Sequence, residues 1–354
     1  MRHKAVLPVI ALALRVPLLL AVSACRGTTQ RQDIAEPPAR FTDQQWLGKQ
    51  LFFDRNLSRP PGQACAGCHD PAAGWADPDK DSPTSKGNTP GLVGNRNSPS
   101  AAYASFSPDF HYDATRATYV GGQFWDGRAK NVADQAKGPI LNPLEMNEAN
   151  KQSVIDAVKA APYAGLFKKV WGANVFEDAE TAHDHLGASV AEYEKTSEVN
   201  SFSSKYDDVL RGAAILTDGE KRGLELFNGK AMCATCHTSA ADTSSGNVLF
   251  TDFSYANAGV PKNPKNTFYT LDDQVQPGRE EFRGPRTRRP AEEAGRERKI
   301  QSAVSSQRCA DSSIHAQRRL HDPDRRAVLQ HARCGLGRLA RARSRGERQQ
   351  TGDG

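Results

Sequence analysis

The sequence predicts an all-α fold made of two copies of one helical unit. Residues 41–52 and 216–227 correspond at six positions with a single offset of 175 residues: five are identical, and the sixth is apolar in both segments. Each segment opens with a Thr-Asp pair, either member of which can cap a helix, and Thr217 has capping-box spacing to Glu220. Large apolar residues then recur at helical spacing. A repeated helix that precedes a repeated motif indicates two copies of one domain rather than one long domain.

Length and composition agree with two folded domains. The chain has 354 residues, of which 38% are apolar and 25% are charged. These values exclude a polytopic membrane protein and argue against global disorder. Seven cysteines are too few for a small domain stapled by disulfides.

The N-terminus has the pattern of an export signal. A short positive start is followed by an apolar run that ends at Ala24, which predicts a signal peptide over residues 1–24. A buried N-terminal helix is the alternative. Cys25 follows a segment that resembles the lipobox of bacterial lipoproteins, so it is a candidate lipid anchor. Residues 25–40 are polar, contain two prolines and are expected to form a tether.

Each repeated helix is followed by a C-x-x-C-H motif, the attachment signature of c-type haem. The two motifs comprise Cys65, Cys68 and His69, and Cys233, Cys236 and His237. Two thiols can add to the vinyl groups of haem, and the adjacent histidine can coordinate its iron. A redox dithiol or half of a zinc site are alternatives for one such motif. Two copies in an exported chain favour two covalently bound c-type haems.

The order of motifs resembles the bacterial dihaem cytochrome c peroxidase family, which includes the MauG-type enzymes. The resemblance covers residues 41–283. It rests on the two C-x-x-C-H motifs and on the segments between them: Leu51 to Asp54, Asn95 to Pro99, Phe124 to Ala129, Gln135 to Pro139, and Glu145-Met146.

The resemblance implies roles for particular residues. His69 would be the proximal ligand of the peroxidatic haem, and Gln135 and Glu145 would lie in its distal pocket, with Glu145 as the acid–base group. Trp125 matches an aromatic residue between the haems and is a candidate electron conduit. Asn97 matches a side-chain ligand of calcium, although such sites need six to eight oxygen ligands.

One departure from the family pattern concerns the iron bound by His69. Many members have a histidine in the loop after the first motif, and this histidine ligates the resting iron. Here no histidine occurs between His69 and His111. We therefore expect an open, five-coordinate site, as in MauG-type members, with an approach of His111 as the alternative.

The last 71 residues have a different composition. Residues 284–354 contain 17 basic and 8 acidic side chains and no Phe, Tyr or Trp, whereas residues 1–283 contain all 26 aromatic residues. An Arg-rich segment could bind nucleic acid, but nucleic acid is an unusual partner for a protein that is exported from the cytoplasm. Without apolar periodicity this tail is expected to be disordered.

A shift of reading frame explains this tail. Codons can be chosen for Lys299 to Ile314 such that a one-base shift gives Lys-Phe-Lys-Val-Pro-Ser-Leu-Arg-Asn-Val-Ala-Leu-Thr, which is a motif of the family. The same shift gives Tyr-Met-His-Asn-Gly and then Tyr-Asn-Thr-Arg-Asp, in the family's order. We infer a single-base shift near Arg283 and Gly284, so the basic tail has no function of its own and the second domain lacks its closing helices and its Met ligand.

The sequence thus predicts two cytochrome c-like domains. Residues 41–205 would form the first and hold the peroxidatic haem. Residues 206–283 would form the second, which holds the electron-transfer haem and is truncated by the tail. The resemblance implies a periplasmic peroxidase that reduces hydrogen peroxide with electrons from a small cytochrome c or cupredoxin. A MauG-like oxidase of a protein or organic substrate, a dihaem electron carrier, and the product of a damaged gene are the alternatives. No nucleic acid is expected as a partner, and a homodimer is a candidate assembly.

Overall fold

The computed structural model describes residues 37–255 and 263–271. The signal segment, Cys25, most of the tether and the tail at 284–354 lie outside these residues. The helices are α1 Asp43–Phe53, α2 Cys65–Cys68, α3 Val132–Leu141, α4 Lys151–Ala160, α5 Ala164–Trp171, α6 Ala179–Glu194, α7 Lys205–Leu210 and α8 Asp218–Asn228. Short 3-10 helices lie at Pro71–Ala73, Ala104–Phe106, Cys233–Thr235 and Thr267–Thr270. None of these helices is both long and apolar enough to cross a membrane.

The described part is rich in helix and has little sheet, as the sequence predicted. Two strands, β1 His111–Asp113 and β2 Thr118–Val120, form one antiparallel hairpin in which His111 pairs with Val120. Long loops carry the rest of the chain between the helices.

The two repeated helices begin as the sequence predicted. Thr42 caps α1 and Thr217 caps α8, and each threonine side chain accepts a hydrogen bond from the backbone N–H three residues later. In both helices the side chain of the third residue, Gln45 or Glu220, accepts a hydrogen bond from the backbone N–H of the capping threonine. These boxes satisfy backbone donors that would otherwise have no partner at the helix start.

The core lies around α6, which packs against α1, α3 and α4. A glycine allows one of these crossings: a Cβ atom on Gly187 of α6 would lie 2.4 Å from the Ala133 carbonyl oxygen of α3. The largest fully buried side chains of the described residues include Leu47, Leu51, Phe52, Ile140, Ile155, Phe167, Leu186 and Tyr193. This core positions the first C-x-x-C-H motif, because α1 contacts α2 and Cys65 packs against the core.

The second repeated helix has a different environment. Leu51 and Phe52 of α1 are each 1% exposed, whereas their counterpart Leu226 of α8 is 52% exposed. No residue of α8 is buried against the described part of the chain. Equal local sequence therefore gives the same helix but not the same burial.

The chain after the second motif returns to the first unit. The Tyr255 hydroxyl donates to the Gly121 carbonyl at 2.7 Å, and the Asn266 side chain donates to the Asn95 carbonyl at 3.0 Å. Arg116 forms an ion pair with Asp252. These contacts join residues 252–266 to the loops that carry the candidate site.

Candidate active site

The first C-x-x-C-H motif forms one helical turn. Cys65 to Cys68 is the short helix α2, and the backbone N–H of His69 donates to the Cys65 carbonyl at 2.9 Å. The turn therefore holds both cysteines and the histidine close together, next to α1. Two thiols and a histidine in this order are the donor set that c-type haem attachment requires.

The two thiols of this turn are free and partly buried. Burial raises the pKa of Cys65 to about 12 and that of Cys68 to about 11. Redox and zinc-binding cysteines instead have lowered pKa values, because their thiolates are the reactive form. The described residues also contain no group of three or more His, Cys, Asp or Glu side chains that could hold a metal ion. Burial therefore favours the thiol over the thiolate at both cysteines, which stand at the spacing that haem attachment requires.

Burial favours the neutral form of His69, and one of its ring nitrogens has no hydrogen-bond partner among the described residues. Burial lowers its pKa, and the nearby carbonyls of Trp75 and Pro99 oppose this effect. Neither carbonyl reaches hydrogen-bond geometry, so the buried Nδ1 atom has no partner among the described residues. A neutral imidazole is the form that binds a metal. His69 therefore fits the role of an iron ligand.

Glu145 lies in the loop after α3, close to the first motif. Its carboxylate accepts a hydrogen bond from the Asn142 side chain at 3.0 Å. Burial raises the pKa of Glu145, while the Asn142 hydrogen bond and the charge of Arg128 oppose this rise. The negative charge of Glu145 is near enough to help raise the pKa of Cys68. Because burial makes the protonated form of this carboxyl easier to reach, Glu145 is a candidate to accept and donate a proton.

A cavity of about 450 Å³ lies against Glu145. It is lined by Phe124, Arg128, Ala129, Lys130, Asp134, Gly138, Asn142 and Glu145. The Arg128 guanidinium lies 3.5 Å from the centroid of the Phe124 ring and is paired with Asp126. Since Arg128 and Lys130 are exposed, the cavity reaches the surface, and a small polar molecule can approach Glu145 through it.

Trp125 is held rigidly beside this cavity. Its side chain is 4% exposed, and its indole N–H donates to the Asn97 carbonyl at 2.6 Å. The next residue, Asp126, pairs with Arg96 at 3.0 Å, with both side chains largely buried. The structure thus brings together Trp125 and Asn97, which sequence analysis had singled out separately.

The other two residues of interest are placed differently. Gln135 lies on the first turns of α3, where it is half-buried. The imidazole of His111 is exposed on β1, and its Nδ1 atom is 2.7 Å from the Asp109 carbonyl. His111 is therefore engaged at the protein surface.

In the second C-x-x-C-H motif, a hydrogen bond orients the imidazole of His237. The Nδ1 atom of His237 is 3.1 Å from the Phe250 carbonyl. Because a carbonyl oxygen only accepts, Nδ1 carries the proton and Nε2 keeps its lone pair for a metal. Cys233 is half-buried and Cys236 is exposed, so this motif is less enclosed than the first within the described residues.

Sequence analysis missed three contributors to the site. Asn142, which orients Glu145, stands three residues before it in the sequence. Arg128 lies in the segment from Phe124 to Ala129, in which the sequence pointed to the aromatic residue Trp125. Glu194 is the third: it is 5% exposed, burial raises its pKa to about 8, and its charge helps raise the pKa of Cys65. Of these three residues, only Arg128 could have been found from the local sequence, because it stands two residues after Asp126 and the two side chains can form an ion pair.

Comparisons with known proteins agree with this geometry. The family model described as di-haem cytochrome c peroxidase matches residues 42–214. The chain is 37% identical to the methylamine utilization protein MauG of Paracoccus denitrificans, over 71% of this chain and 64% of that protein. It is 34% identical to the cytochrome c551 peroxidase of Pseudomonas aeruginosa, over 64% of this chain and 56% of that protein.

A solved structure is similar as well. The crystal structure of the diheme peroxidase BthA from Burkholderia thailandensis aligns with a TM-score of 0.60 and 33% identity. The alignment covers 70% of this chain and 62% of that one. The matched part of the chain thus spans less than two thirds of the length of these relatives.

Proposed function

Because the chain belongs to the di-haem cytochrome c peroxidase family, we propose that it reduces hydrogen peroxide to water. One peroxide takes up two electrons and two protons and gives two waters. The electrons would come one at a time from a small cytochrome c or a cupredoxin. The observation that carries this proposal is the buried carboxyl of Glu145, next to Cys68 and at the wall of a cavity that reaches the surface.

Two c-type haems would be held by the two motifs. Cys65 and Cys68 would attach the first haem and His69 would ligate its iron, and Cys233, Cys236 and His237 would do the same for the second. The family implies c-type haem, and the neutral His69 and the Nε2 atom of His237 suit this role. When bound, the haems supply the redox chemistry that cleaves the O–O bond.

Glu145 would move the proton in this reaction. Its carboxylate can take a proton from the peroxide oxygen nearer the haem and deliver it to the outer oxygen, which leaves as water. Asn142 would hold the carboxylate in place, since its amide donates to one oxygen and leaves the other available. Gln135 would complete the distal pocket, and Trp125, fixed by Asn97, would be the electron conduit between the haems.

A MauG-like oxidase is the second candidate function. The specific observation in its favour is the engagement of His111 at the surface, because residues 70–131, between the first motif and α3, contain no other histidine that could close the site. In that case the same pocket would oxidise a protein or an organic substrate. A dihaem electron carrier is a weaker third candidate, because a carrier has no need of a proton donor such as Glu145.

One experiment separates these functions. The haem-loaded, frame-corrected protein is mixed with hydrogen peroxide and a reduced small cytochrome c, and donor oxidation is followed by absorbance. A peroxidase oxidises two donor molecules for each peroxide consumed. Peroxide consumption without donor oxidation would favour the oxidase, and six-coordinate spectra of both irons in every redox state would favour the carrier.

The remaining parts of the proposal concern location and assembly. We propose export to the periplasm by residues 1–24, a lipid anchor at Cys25 and a tether to residue 40. Domains at 41–205 and 206–283, a calcium ion near Asn97 and a homodimer belong to the same proposal. Extraction with carbonate, mass analysis of the N-terminal peptide and metal analysis of the purified protein test these points.

We also propose that residues 284–354 are written out of frame. The composition of this segment and the family motifs in the shifted frame support this proposal. The nucleotide sequence around codons 280–286 is the observation that tests it, because an extra base in that stretch is required.

A further inference from the structure

Five aromatic side chains form a continuous cluster next to the first C-x-x-C-H motif. This proximal aromatic cluster consists of Phe41, Trp46, Phe52, Trp75 and Tyr193, all of them buried or half-buried. It lies between α1 and α6, where α1 passes α2. Trp125 and the cavity at Glu145 are not part of it.

The cluster begins at the candidate iron ligand. The ring of Phe52 is 6.5 Å from the ring of His69, measured between centroids. Phe52 in turn lies 5.8 Å from Trp75 and 5.5 Å from Tyr193, and the rings of Trp75 and Tyr193 are 6.1 Å apart. Two easily oxidised rings are therefore linked to His69 through one phenylalanine.

The cluster continues from Tyr193 towards the surface. Phe41 lies 6.5 Å from Tyr193, and Trp46 lies 5.6 Å from Phe41. Arg40 lies at this end of the cluster, with its guanidinium 4.9 Å from the centroid of the Phe41 ring. The Arg40 side chain is 66% exposed. The rings thus span the distance from the motif to the outside of the first unit.

Tyr193 also has a proton acceptor in place. Its side chain is fully buried, and its hydroxyl donates to Glu198 Oε1 at 2.9 Å. Although burial alone would raise the pKa of Glu198, hydrogen bonds from Lys49 and Tyr193 and the charges of Lys49 and Arg40 lower it. Glu198 is therefore an ionised carboxylate. The Lys49 ammonium, 5.9 Å from the Tyr193 ring, opposes oxidation of that ring, but its ion pair with Glu198 offsets this charge.

We propose that Tyr193 is a one-electron oxidation site that supplies an internal electron to the first haem when no external donor is present. This inference rests on the proposed function, since peroxide is the oxidant. Tyr193 loses one electron, and its phenolic proton passes to Glu198 Oε1. The O–H bond of Tyr193 breaks, an O–H bond forms on Glu198, and a neutral tyrosyl radical remains. The electron would pass by way of Trp75 and Phe52 towards His69 and the haem that this residue would hold, with hydrogen peroxide as the one-electron oxidant.

A second buried phenol provides the sharpest comparison. The Tyr163 hydroxyl donates to the Asp54 carboxylate, so it also has a proton acceptor. Its ring, however, has no aromatic partner within the described residues, and it stands outside the cluster. If contact between rings determines the site, Tyr193 rather than Tyr163 is oxidised.

Freeze-quench electron paramagnetic resonance tests this proposal. The haem-loaded full-length chain, with ring-deuterated tyrosine in a parallel sample, is mixed with excess hydrogen peroxide without donor. We expect a radical whose signal narrows on deuteration, and we expect Tyr193→Phe to lose it. Tyr163→Phe and Tyr112→Phe, the latter at an exposed ring of β1, should keep it. Glu198→Gln should reduce the yield of the radical, because the proton acceptor is removed.

The haem absorbance after peroxide addition is recorded in the same samples. A spectral reaction with peroxide in every variant, together with a tyrosyl signal that is unchanged in Tyr193→Phe, would overturn the inference and leave the proposed function intact. A signal lost in Tyr163→Phe instead would assign the oxidation to the phenol bound by Asp54 and would overturn it as well. Absence of any reaction with peroxide would overturn the proposed function and this inference together.

Discussion

Gly48 on α1 lies so close to Ser189 on α6 that a Cβ atom on the glycine would be 1.9 Å from the Ser189 carbonyl oxygen. Real Cβ atoms never approach backbone oxygen so closely, so this crossing requires glycine. The same contact brings Gly48 next to Tyr193. The position of Gly223 in α8 is equivalent by the repeat, but nothing in the described chain lies within 4 Å of a Cβ atom there.

The first prediction uses this pair of glycines. Gly48→Ala should lower the free energy of unfolding by about 3 kcal/mol or more, because α1 and α6 must move apart. Gly223→Ala is the matched control, and it should be neutral or stabilise by about 0.5–1 kcal/mol, since alanine favours an exposed helix. Denaturant unfolding of the two variants measures both values. Equal destabilisation by both would show that the second helix is packed as closely as the first.

The second prediction concerns haem content. The mass of the denatured full-length chain should include two covalently attached haems, because thioether bonds survive denaturation. Cys65→Ser with Cys68→Ser should remove one haem, and Cys233→Ser with Cys236→Ser should remove the other. Mass spectrometry and the pyridine haemochrome spectrum measure the number. One haem in the unaltered chain, or bound zinc, would contradict the assignment.

The third prediction concerns Glu145. Glu145→Gln should lower peroxidase turnover by roughly 10²–10⁴-fold with haem spectra nearly unchanged, because the amide cannot transfer the proton. Glu148→Gln is the matched control, since Glu148 accepts a hydrogen bond from Ser153 and does not line the cavity. Turnover is measured with peroxide and a reduced cytochrome c. Near-normal turnover of Glu145→Gln in a frame-corrected protein would reject the role.

The fourth prediction concerns the pH dependence of stability. Burial raises the pKa of Glu194 from 4.5 to about 8, so between these values the folded state binds more protons than the unfolded state. The contribution of this group to stability is complete below pH 4.5 and falls as pH rises towards 8, by up to about 1.4 kcal/mol per pH unit.

Glu194→Gln should remove this loss of stability with rising pH. The free energy of unfolding of the variant, relative to that of the original protein, should therefore increase from pH 5 to pH 8. Glu192→Gln, at a half-exposed position that pairs with Lys195, is the control and should leave the slope unchanged. Urea unfolding of the haem-loaded protein at several pH values gives the slopes. Parallel curves for Glu194→Gln and the original protein would contradict the shifted pKa.

The fifth prediction concerns the reading frame. Deletion of one base near codons 283–284 should restore the Tyr-Met-His segment, a spectrum typical of a Met-ligated haem, and peroxidase activity together. The chain as written should show weak turnover and altered ligation of the second haem, because the ligand segment is missing from its sequence. Full activity of the chain as written would mean that the basic segment has a role of its own.

Much of the local structure could be predicted from the sequence. The caps at Thr42 and Thr217, the helices that follow them and the helix-rich class are confirmed, because capping and periodicity depend on neighbours within one turn. The family was also predicted correctly, since the spacing of two C-x-x-C-H motifs is a covalent requirement of the cofactor. The roles of Gln135, Glu145, Trp125 and Asn97 remain predictions.

The environment of each residue depended on the tertiary structure. Leu51 and Leu226 occupy equivalent positions of one repeat, yet only Leu51 is buried, because α6 covers α1 and no described element covers α8. In the same way, the raised pKa of Glu145 and the orientation given by Asn142 follow from burial and from a loop geometry that no motif encodes. The sequence alone determined where the two repeated helices begin and which residues are candidates to attach haem, because these depend on near neighbours and on chemical identity. Only the tertiary structure decided which side chains lose water and which distant groups meet, because burial and electrostatic shifts depend on segments far apart in the chain.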